Sequence, residues 1–564
     1  MPPAKQSSTG YHLLPLSVVL LIAYWMRILQ PDIFIIGWDL PRHVVDAMRL
    51  HGTSILPGGN ENQNFWYQLF VYNHGYTTRA LTYFLYEFAF SLLKITITES
   101  SLTFVNSTLG IFSLAALYFF FRQNFSRKEA LISIAIISIT PVHLGLSRVH
   151  VGYQIIQLIF FYLSLGLLHK QILCPGKGTK FFYFLTTFLY IGTDNAFPIG
   201  LALHLLYIFI HLPHKDVNTT LRALKKIYLS PLTVFFIILP LSIYAFFTYH
   251  LIQQHITSGF LLKSVSKKSN IGPILHWPLA SFMLVGPIVI LFLGGITQFD
   301  QIRTTRIYQY AIIHTAIYLL LLCKMDVNAT YILYLLPPVT TVAVSQCFRW
   351  ETVAVQLRSY VLVTVGIITA ALSISIIYGY NIGVPTMYTY GSQHINQNNG
   401  LKTLGYLIRS NSFKITTKYN DHGISIKKLN LYTGFPSAYY YLGTFSYGKP
   451  FQYSLSGTEG QKPFIDTDNF LLAKWLTYNP KTYYKGMEPI VAKANTEIDN
   501  YVTKHGTPLI GYITDGNRKL IALYSNIKNP KRTNYDINIY DKKFDKEFGK
   551  MDSFNFPLTG YELF

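Results

Sequence analysis

Long apolar runs recur along the first two thirds of the chain and limit what it can fold into. Only 13% of the 564 residues are charged, against about 25% in an average soluble protein. A run of about 20 apolar residues can cross a bilayer as a helix. The sequence therefore predicts a polytopic α-helical membrane protein with about eleven transmembrane helices, near residues 12–36, 102–121, 129–147, 150–169, 179–193, 196–212, 228–250, 276–298, 304–323, 329–347 and 355–379.

The basic residues between these runs predict one orientation. Membrane proteins retain Lys and Arg in their cytoplasmic loops. With the N-terminus inside, at least two Lys or Arg fall in each predicted inner loop, namely 122–128, 169–180, 211–226, 300–306 and 349–358. The formal net charge of +21 also makes membrane lipids with anionic headgroups an expected partner. No nucleic-acid-binding motif accompanies these residues, so nucleic acid is not expected.

The composition changes after about residue 380. No later run is long enough to span a bilayer, and Lys, Asn, Asp, Gly and Tyr dominate. We expect residues 1–380 to form a transmembrane module and residues 381–564 a mixed α/β domain, with PLIGYITD and KLIALYSN as strands and GLKTLGYLIRSNS as a helix. The predicted orientation makes this domain extracytoplasmic, on an integral protein of the cell inner or plasma membrane. The first outer loop is expected to run over 37–101, with the short run 80–93 lying in the membrane interface.

The first outer loop begins with the stretch GWDLPRHVVDAMRLHG, which carries two carboxylates, Asp39 and Asp46, among basic residues. A carboxylate such as Asp39, next to a low-dielectric boundary, becomes more basic and is suited to act as a general base. His43 follows four residues later, on the same face if the stretch is helical. Asp39 also precedes Pro41 in a pattern typical of a helix N-cap. The two roles are compatible.

Further charged residues are predicted on the same outer side. Arg148 ends a predicted span, and its guanidinium is suited to bind a phosphate through two hydrogen bonds. An arginine that only extends its side chain to the membrane–water interface, without binding a ligand, is an equal alternative. Asp194 lies in GTDNAFP, where turn formation is the alternative to a site role. The outer loop 251–275 departs from the charge rule because it holds Lys263, Lys267 and Lys268.

Several classes of site find no support in the sequence. Cys174, Cys323 and Cys347 lack metal-ligand spacing, and a disulfide framework is not expected. The chain has no Walker motif, dinucleotide-binding glycine loop or evident catalytic triad. We therefore predict no cofactor and no metal ligands.

The order of five segments resembles the GT-C superfamily of integral membrane glycosyltransferases, in particular its protein-mannosyltransferase-like and aminoarabinose-transferase-like members. The segments are WDLPRHVVDAMRLHG, NHGYTTRALTYFLYEFAFSLLKI, FRQNFSRKEALISIAIISITPVHLGLSRVH, GTDNAFPIGLALHLLY and ATYILYLLPP. The resemblance covers most of residues 10–345. It implies a GT-C fold and a polyprenyl-phosphate sugar donor, with transfer of the sugar to a protein, lipid or glycan acceptor on the outer face.

The resemblance also implies roles for individual residues. It assigns Asp39 as the catalytic carboxylate, with His43 beside it, and predicts inversion at the anomeric carbon. The expected donor- and substrate-binding residues are His74, Arg79, Arg148, His150, Asp194, Lys263, Lys267, Lys268 and Tyr331. The chain departs from the family pattern at Gly75-Tyr76, where relatives have Pro-Pro. It also lacks the second acid of metal-using relatives near His150, which argues against an obligatory divalent ion unless Asp46 or Asp194 substitutes.

Two other functions remain open from the sequence. A transporter or flippase would also have many spans and polar residues. Transporters usually place ionisable groups near mid-span and often contain inverted repeats, which this sequence does not show. A non-catalytic subunit of envelope polysaccharide assembly is the third candidate.

Overall fold

The structure is a computed structural model that describes part of the chain. The described residues are 14–29, 81, 85, 88, 99–149, 153–193, 197–212, 217–243, 245, 285–297, 299–324, 332–349, 355–377, 400, 403–404, 407, 417–420, 423–426, 429–433, 451–455, 470–476, 488–525 and 560–563. They fall in two compact units, a helical one and a second one that contains every described strand. Each unit is considered by itself.

The helical unit contains fourteen α-helices among the described residues. In chain order these are α1 (Leu14–Ile28), α2 (Glu99–Asn124), α3 (Arg127–Ser138), α4 (Pro141–Val149), α5 (Tyr153–Leu173), α6 (Lys177–Ile191), α7 (Phe197–His211), α8 (Val217–Tyr228), α9 (Pro231–Thr233), α10 (Ile288–Ile296), α11 (Phe299–Thr304), α12 (Arg306–Lys324), α13 (Leu336–Arg349) and α14 (Val355–Ile377). A π-helical segment, Val234–Ile238, continues α9, and a 3₁₀ turn, Leu333–Leu335, leads into α13.

Each of the eleven predicted spans overlaps at least one of these helices. By length and hydropathy, three helices of the described part can each cross a bilayer, namely Ser100–Asn124, Gln154–Leu173 and Val355–Ser375. The pair α3 and α4 passes the same test together. The total of about eleven spans stays a prediction.

The predicted span 129–147 is two helices rather than one, bent by 61° between α3 and α4. Pro141 has no backbone N–H to donate to the carbonyl of Ile137, so the regular helical ladder stops there. The backbone and the hydroxyl of Thr140 donate to that carbonyl instead, at 3.2 and 2.7 Å. The carbonyl of Ile139 accepts a hydrogen bond from Ser373 of α14. The bend is therefore satisfied by local and neighbouring hydroxyl groups.

A glycine permits close packing in the interior of the helical unit. At Gly200 of α7 a Cβ atom would lie 2.0 Å from the hydroxyl oxygen of Tyr190 on α6. Phe161 of α5 stacks on His204 at 5.2 Å between ring centroids, and the hydroxyl of Ser164 lies 3.0 Å from His204 Nε2. These contacts join α5, α6 and α7 through aromatic and polar side chains.

The turn before α3 is held by a capping box. Ser126 accepts from the backbone N–H of Glu129 at 3.3 Å, and Glu129 accepts from the backbone N–H of Ser126 at 2.8 Å. Such reciprocal bonds satisfy N–H groups that a helix start leaves free. Glu129 also accepts from Ser345 of α13 at 3.3 Å. The basic turn 122–128 is therefore joined to a later helix.

The second unit contains a six-stranded mixed sheet and a two-stranded one. The strands are β1 (Thr417–Asn420), β2 (Gly423–Ile426), β3 (Leu429–Thr433), β4 (Phe451–Leu455), β5 (Phe470–Trp475), β6 (Leu509–Asp515), β7 (Arg518–Ser525) and β8 (Gly560–Leu563). The larger sheet has the order β4-β3-β5-β7-β6-β8, with β3 parallel to β4 and β5 and the remaining pairs antiparallel. The described part of this unit also has one long helix, α15 (Glu488–His505).

The segments predicted as strands, PLIGYITD and KLIALYSN, contain β6 and β7. A two-residue turn joins them, and Gly516 takes the positive φ of 57° that such hairpins require. In the segment GLKTLGYLIRSNS, the described residues Thr403, Leu404 and Leu407 are helical. The domain boundary near residue 380 stays a prediction.

Asn495 of α15 holds the end of β5. Its side chain accepts from the backbone N–H of Trp475 at 3.1 Å and donates to the carbonyl of the same residue at 2.8 Å. We predict that Asn495→Leu weakens this unit by about 1–3 kcal/mol, because a buried backbone group left unpaired costs that much. Hydrogen exchange of the β5 amides measures the change. The neighbouring exposed substitution Thr496→Ala is the control, and equal exchange in the two variants contradicts the prediction.

Candidate functional site

Most of the predicted site residues lie outside the described part of the chain. These are Asp39, His43, His74, Arg79, His150, Asp194, Lys263, Lys267, Lys268 and Tyr331. The same is true of Asp46. Their arrangement stays a prediction, and Arg148 is the predicted site residue that the structure describes.

Arg148 lies in the last turn of α4 and is 1% exposed. Its Nη1 donates to the backbone carbonyl of Met26, on α1, at 3.0 Å. The side chain is thus turned into the protein rather than out to the membrane surface. It joins the end of the bent span to the end of the first helix.

A second arginine, Arg27, lies next to that contact and is completely buried. Its Nε donates to Ser147 Oγ at 2.7 Å, and its Nη1 donates to the carbonyl of Ala23 at 2.7 Å. Its Nη2 lies 2.7 Å from Nδ1 of His143. One guanidinium thereby contacts two side chains of α4 and the backbone of its own helix.

The contact with Arg27 determines how His143 carries its proton. A guanidinium only donates hydrogen bonds, so Nδ1 of the neutral imidazole must accept and the proton must lie on Nε2. His143 Nε2 lies 2.9 Å from Ser113 Oγ, and this hydroxyl donates to the carbonyl of Gly110 at 2.7 Å. The hydrogen bonds therefore run in one direction, from Arg27 through His143 and Ser113 to the backbone of α2.

The approach of α2 to this cluster depends on Gly110. A Cβ atom there would lie 2.5 Å from Ser147 Cβ and 3.2 Å from Arg27 Nε. A distance below 3.0 Å between such carbon atoms requires the backbone or the neighbour to move. Three segments, α1, α2 and α4, thus meet around Arg27.

The cluster, defined as Arg27, Ser113, His143, Ser147 and Arg148, carries positive charge in an apolar helical unit. The acceptors that bind Arg27 are a hydroxyl, a carbonyl and an imidazole, all neutral. Burying an arginine without a carboxylate partner is costly, and ionisable groups at membrane depth usually mark functional sites. Arg27 also precedes, in sequence, the outer stretch with Asp39. The cluster is therefore the candidate functional site of the described residues.

Arg27 is absent from the residues predicted as a site, although a signal for it exists. It is the one charged residue in the run LPLSVVLLIAYWMRIL. A charged residue inside an apolar run usually pairs with another polar group of the protein. Its partners are not adjacent in sequence, because Ser147 is 120 residues away. His143 is an ionisable residue within the predicted span 129–147, but nothing local in the sequence pairs it with Arg27.

The described residues contain no group of three or more His, Cys, Asp or Glu side chains that could hold a metal ion. Two arginines repel a cation, so the cluster described above is itself unsuited to bind one. It is suited to stabilise negative charge. A metal site formed by Asp39, Asp46 or Asp194 lies outside what the structure describes.

We predict that Arg27 stabilises the packing of α1 against α4. Arg27→Leu leaves Nδ1 of His143 without a donor, and an unsatisfied buried group costs about 1–3 kcal/mol. It also removes one hydrogen bond each from Ser147 and the carbonyl of Ala23. Arg27→Lys keeps the charge, but a single ammonium group does not reproduce the planar fork of donors.

Thermal unfolding of the purified protein in detergent measures both changes. We expect Arg27→Leu to lower Tm most, with Arg27→Lys between it and the unsubstituted protein. Arg122→Leu is the control, because Arg122 is exposed and donates to one nearby carbonyl at 2.9 Å. A Tm for Arg27→Leu equal to that of the control contradicts the prediction.

Neither a protein-family model nor the sequence of a curated protein matches the chain. Solved structures do match in fold. The apo oligosaccharyltransferase of Archaeoglobus fulgidus is 13% identical, with a TM-score of 0.54 over 94% of this chain and 76% of that one. The oligosaccharyltransferase AglB of Archaeoglobus fulgidus, in complex with an inhibitory peptide and a dolichol-phosphate, gives a TM-score of 0.51 at 12% identity, over 94% and 75% of the two chains.

ArnT from Cupriavidus metallidurans, bound to undecaprenyl phosphate, is 10% identical, with a TM-score of 0.52 over 94% of this chain and all of that one. AglB and ArnT are membrane glycosyltransferases of the GT-C superfamily. At these identities the likeness establishes the fold alone. The resemblance predicted from the sequence is thereby confirmed at the level of fold, and this chain is a membrane protein with the GT-C fold.

Proposed function

We propose that this chain is a membrane glycosyltransferase that moves a sugar from a polyprenyl-phosphate donor to an acceptor on the outer face of the membrane. The observation that supports the proposal most is the match to ArnT over the whole length of that enzyme. The two matched enzymes were solved with dolichol-phosphate and undecaprenyl phosphate, which share a long polyprenyl chain and a phosphate. A donor of this class suits a chain with helices that can span a bilayer.

In the proposed reaction Asp39 is the general base. Its carboxylate takes the proton of an acceptor hydroxyl as the hydroxyl oxygen forms a bond to the anomeric carbon. The bond from that carbon to the phosphate oxygen breaks on the opposite face, and its electron pair leaves with the polyprenyl phosphate. Attack and departure on opposite faces invert the anomeric configuration. In the same proposal His43, four residues on in the sequence, orients the carboxylate or the acceptor.

The leaving phosphate gains negative charge and requires positive charge nearby. In our proposal Lys263, Lys267 and Lys268 of one outer loop contact the donor phosphate, together with His74, Arg79, His150, Asp194 and Tyr331 around the sugar and the acceptor. Arg148 contributes mainly through its electrostatic field, because its guanidinium is buried and bound to Met26. A field from a buried cation is weakly screened and remains strong at low dielectric.

The proposal includes no obligatory metal ion, because positive charge from arginine and lysine side chains serves the same purpose at the leaving group. The resemblance places His150 near the position where metal-using relatives carry a second acid. The C-terminal unit is proposed to lie on the outer side, in the cell inner or plasma membrane, next to the acceptor.

We predict that Asp39→Asn abolishes most of the transfer while the protein still inserts and folds. Loss of a general base lowers a rate by about 10²–10⁴-fold. Mass spectrometry of cell-envelope glycans identifies the product as the glycan that disappears when the gene is deleted. Complementation with Asp39→Asn should not restore it.

Asp326→Asn is the matched control, and it should restore the glycan. Asp326 falls between the predicted spans 304–323 and 329–347, in a connection expected on the outer side, and no role is assigned to it. Normal glycan levels with Asp39→Asn would reject the catalytic assignment. Loss of a lipid-linked sugar from the outer leaflet, rather than loss of transfer from it, would favour a flippase.

We also predict that the triple substitution of Lys263, Lys267 and Lys268 by Gln weakens donor binding. Removing charges that meet the donor phosphate should raise KM for the donor more than it lowers kcat, and should leave Tm unchanged. Release of polyprenyl phosphate at varied donor concentration measures both constants. An unchanged KM contradicts the prediction.

A further inference from the structure

The segment 211–226, expected to be a loop, contains most of the helix α8, Val217–Tyr228. This helix lies in sequence between α7 and the apolar helix Pro231–Ile243. Its sequence, VNTTLRALKKIY, has no acidic residue. It is therefore a basic helix at the ends of two apolar segments.

The side chains of α8 separate into two faces. Leu224, Ile227 and Tyr228 pack against the core of the helical unit, and Ile227 is buried. Arg222, Lys225 and Lys226 are exposed. Residues three and four apart share a face of a helix, so these three cations form one basic surface.

Contacts with α6 fix α8 in place. The hydroxyl groups of Tyr228 and Tyr183 lie 2.8 Å apart. Lys180 Nζ donates to the backbone carbonyl of Lys226 at 2.8 Å, which satisfies one of the carbonyls that a helix end leaves free. Because Lys180 bonds to the backbone, this contact does not use the side chains of the basic face.

Exposed apolar side chains border the basic surface. Leu229 is 76% exposed and Leu221 is 48% exposed. Phe181 and Phe182, at the start of α6, are also exposed. A helix that presents cations beside exposed apolar groups, at the end of apolar segments, is typical of a membrane interface.

We propose that α8 and the start of α6 bind the headgroup of an anionic phospholipid, through Arg222, Lys225, Lys226 and the exposed Lys177. The apolar neighbours Leu221 and Leu229 contact the acyl region of the same leaflet. The charge of the surface favours an anionic headgroup over a neutral one. Its described charged side chains are all cations, and Asp216, the nearest acid in the sequence, precedes the helix. This inference does not depend on the proposed glycosyl transfer.

The test uses the full-length protein, delipidated in a neutral detergent and titrated with phosphatidylglycerol or phosphatidylcholine, with bound lipid counted by native mass spectrometry. The unsubstituted protein should bind phosphatidylglycerol more tightly. The triple variant R222Q/K225Q/K226Q should lose about tenfold or more of that affinity, since each cation near an anionic surface contributes about fivefold. Its affinity for phosphatidylcholine should not change.

The control is K493Q/K504Q/R518Q, which removes the same charge from exposed positions of the second unit. Equal losses in the two triple variants overturn the inference, because the effect is then one of net charge. Displacement of phosphatidylglycerol by inorganic phosphate at matched concentration also overturns it, in favour of a soluble anion. If the triple variant does not fold, the single variants K225Q and K226Q serve in its place, and full retention of lipid by both contradicts the inference.

Discussion

The hydrogen bonds of Arg27 are the interaction on which the described arrangement of the first helices depends. Pro141 divides a membrane segment into α3 and α4, bent by 61°, so α4 has no continuous helix to hold its direction. Arg27 of α1 fixes the position of α4 through its hydrogen bonds with Ser147 and His143. In an apolar surrounding these bonds compete with no water, and their loss leaves several polar groups unpaired.

The same bonds explain the close approach of α2. Ser113 connects the imidazole of His143 to the backbone of α2, and Gly110 provides the space beside Ser147 and Arg27. Helices in membranes associate through small residues and hydrogen bonds, because lipid offers no hydrophobic drive between them. A charged residue, a histidine, two serines and a glycine thus add specific contacts to the apolar packing of these helices.

Local features of the sequence predict the apolar helices and two strands of the sheet, but not the basic helix α8, most of which falls in a segment expected to be a loop. An apolar run of span length predicts a helix without knowledge of its neighbours, and a strand pair joined by Gly516 and Asn517 is equally local. Contacts between distant residues were not predictable in this way. Ser147 lies 120 residues from Arg27, and the parallel pairing of β3 with β4 and β5 leaves no short-range pattern. The sequence shows the cause of the bend, Pro141. It does not show that the carbonyl of Ile139, freed at the bend, accepts a hydrogen bond from Ser373 of a much later helix.

Arg148 shows why burial changes the meaning of a charged residue. A guanidinium at the membrane surface can turn towards a phosphate and bind it directly. Arg148 is instead buried, donates to the carbonyl of Met26 and has Arg27 as a neighbour. Two like charges held together store electrostatic energy that an approaching anion lowers without direct contact.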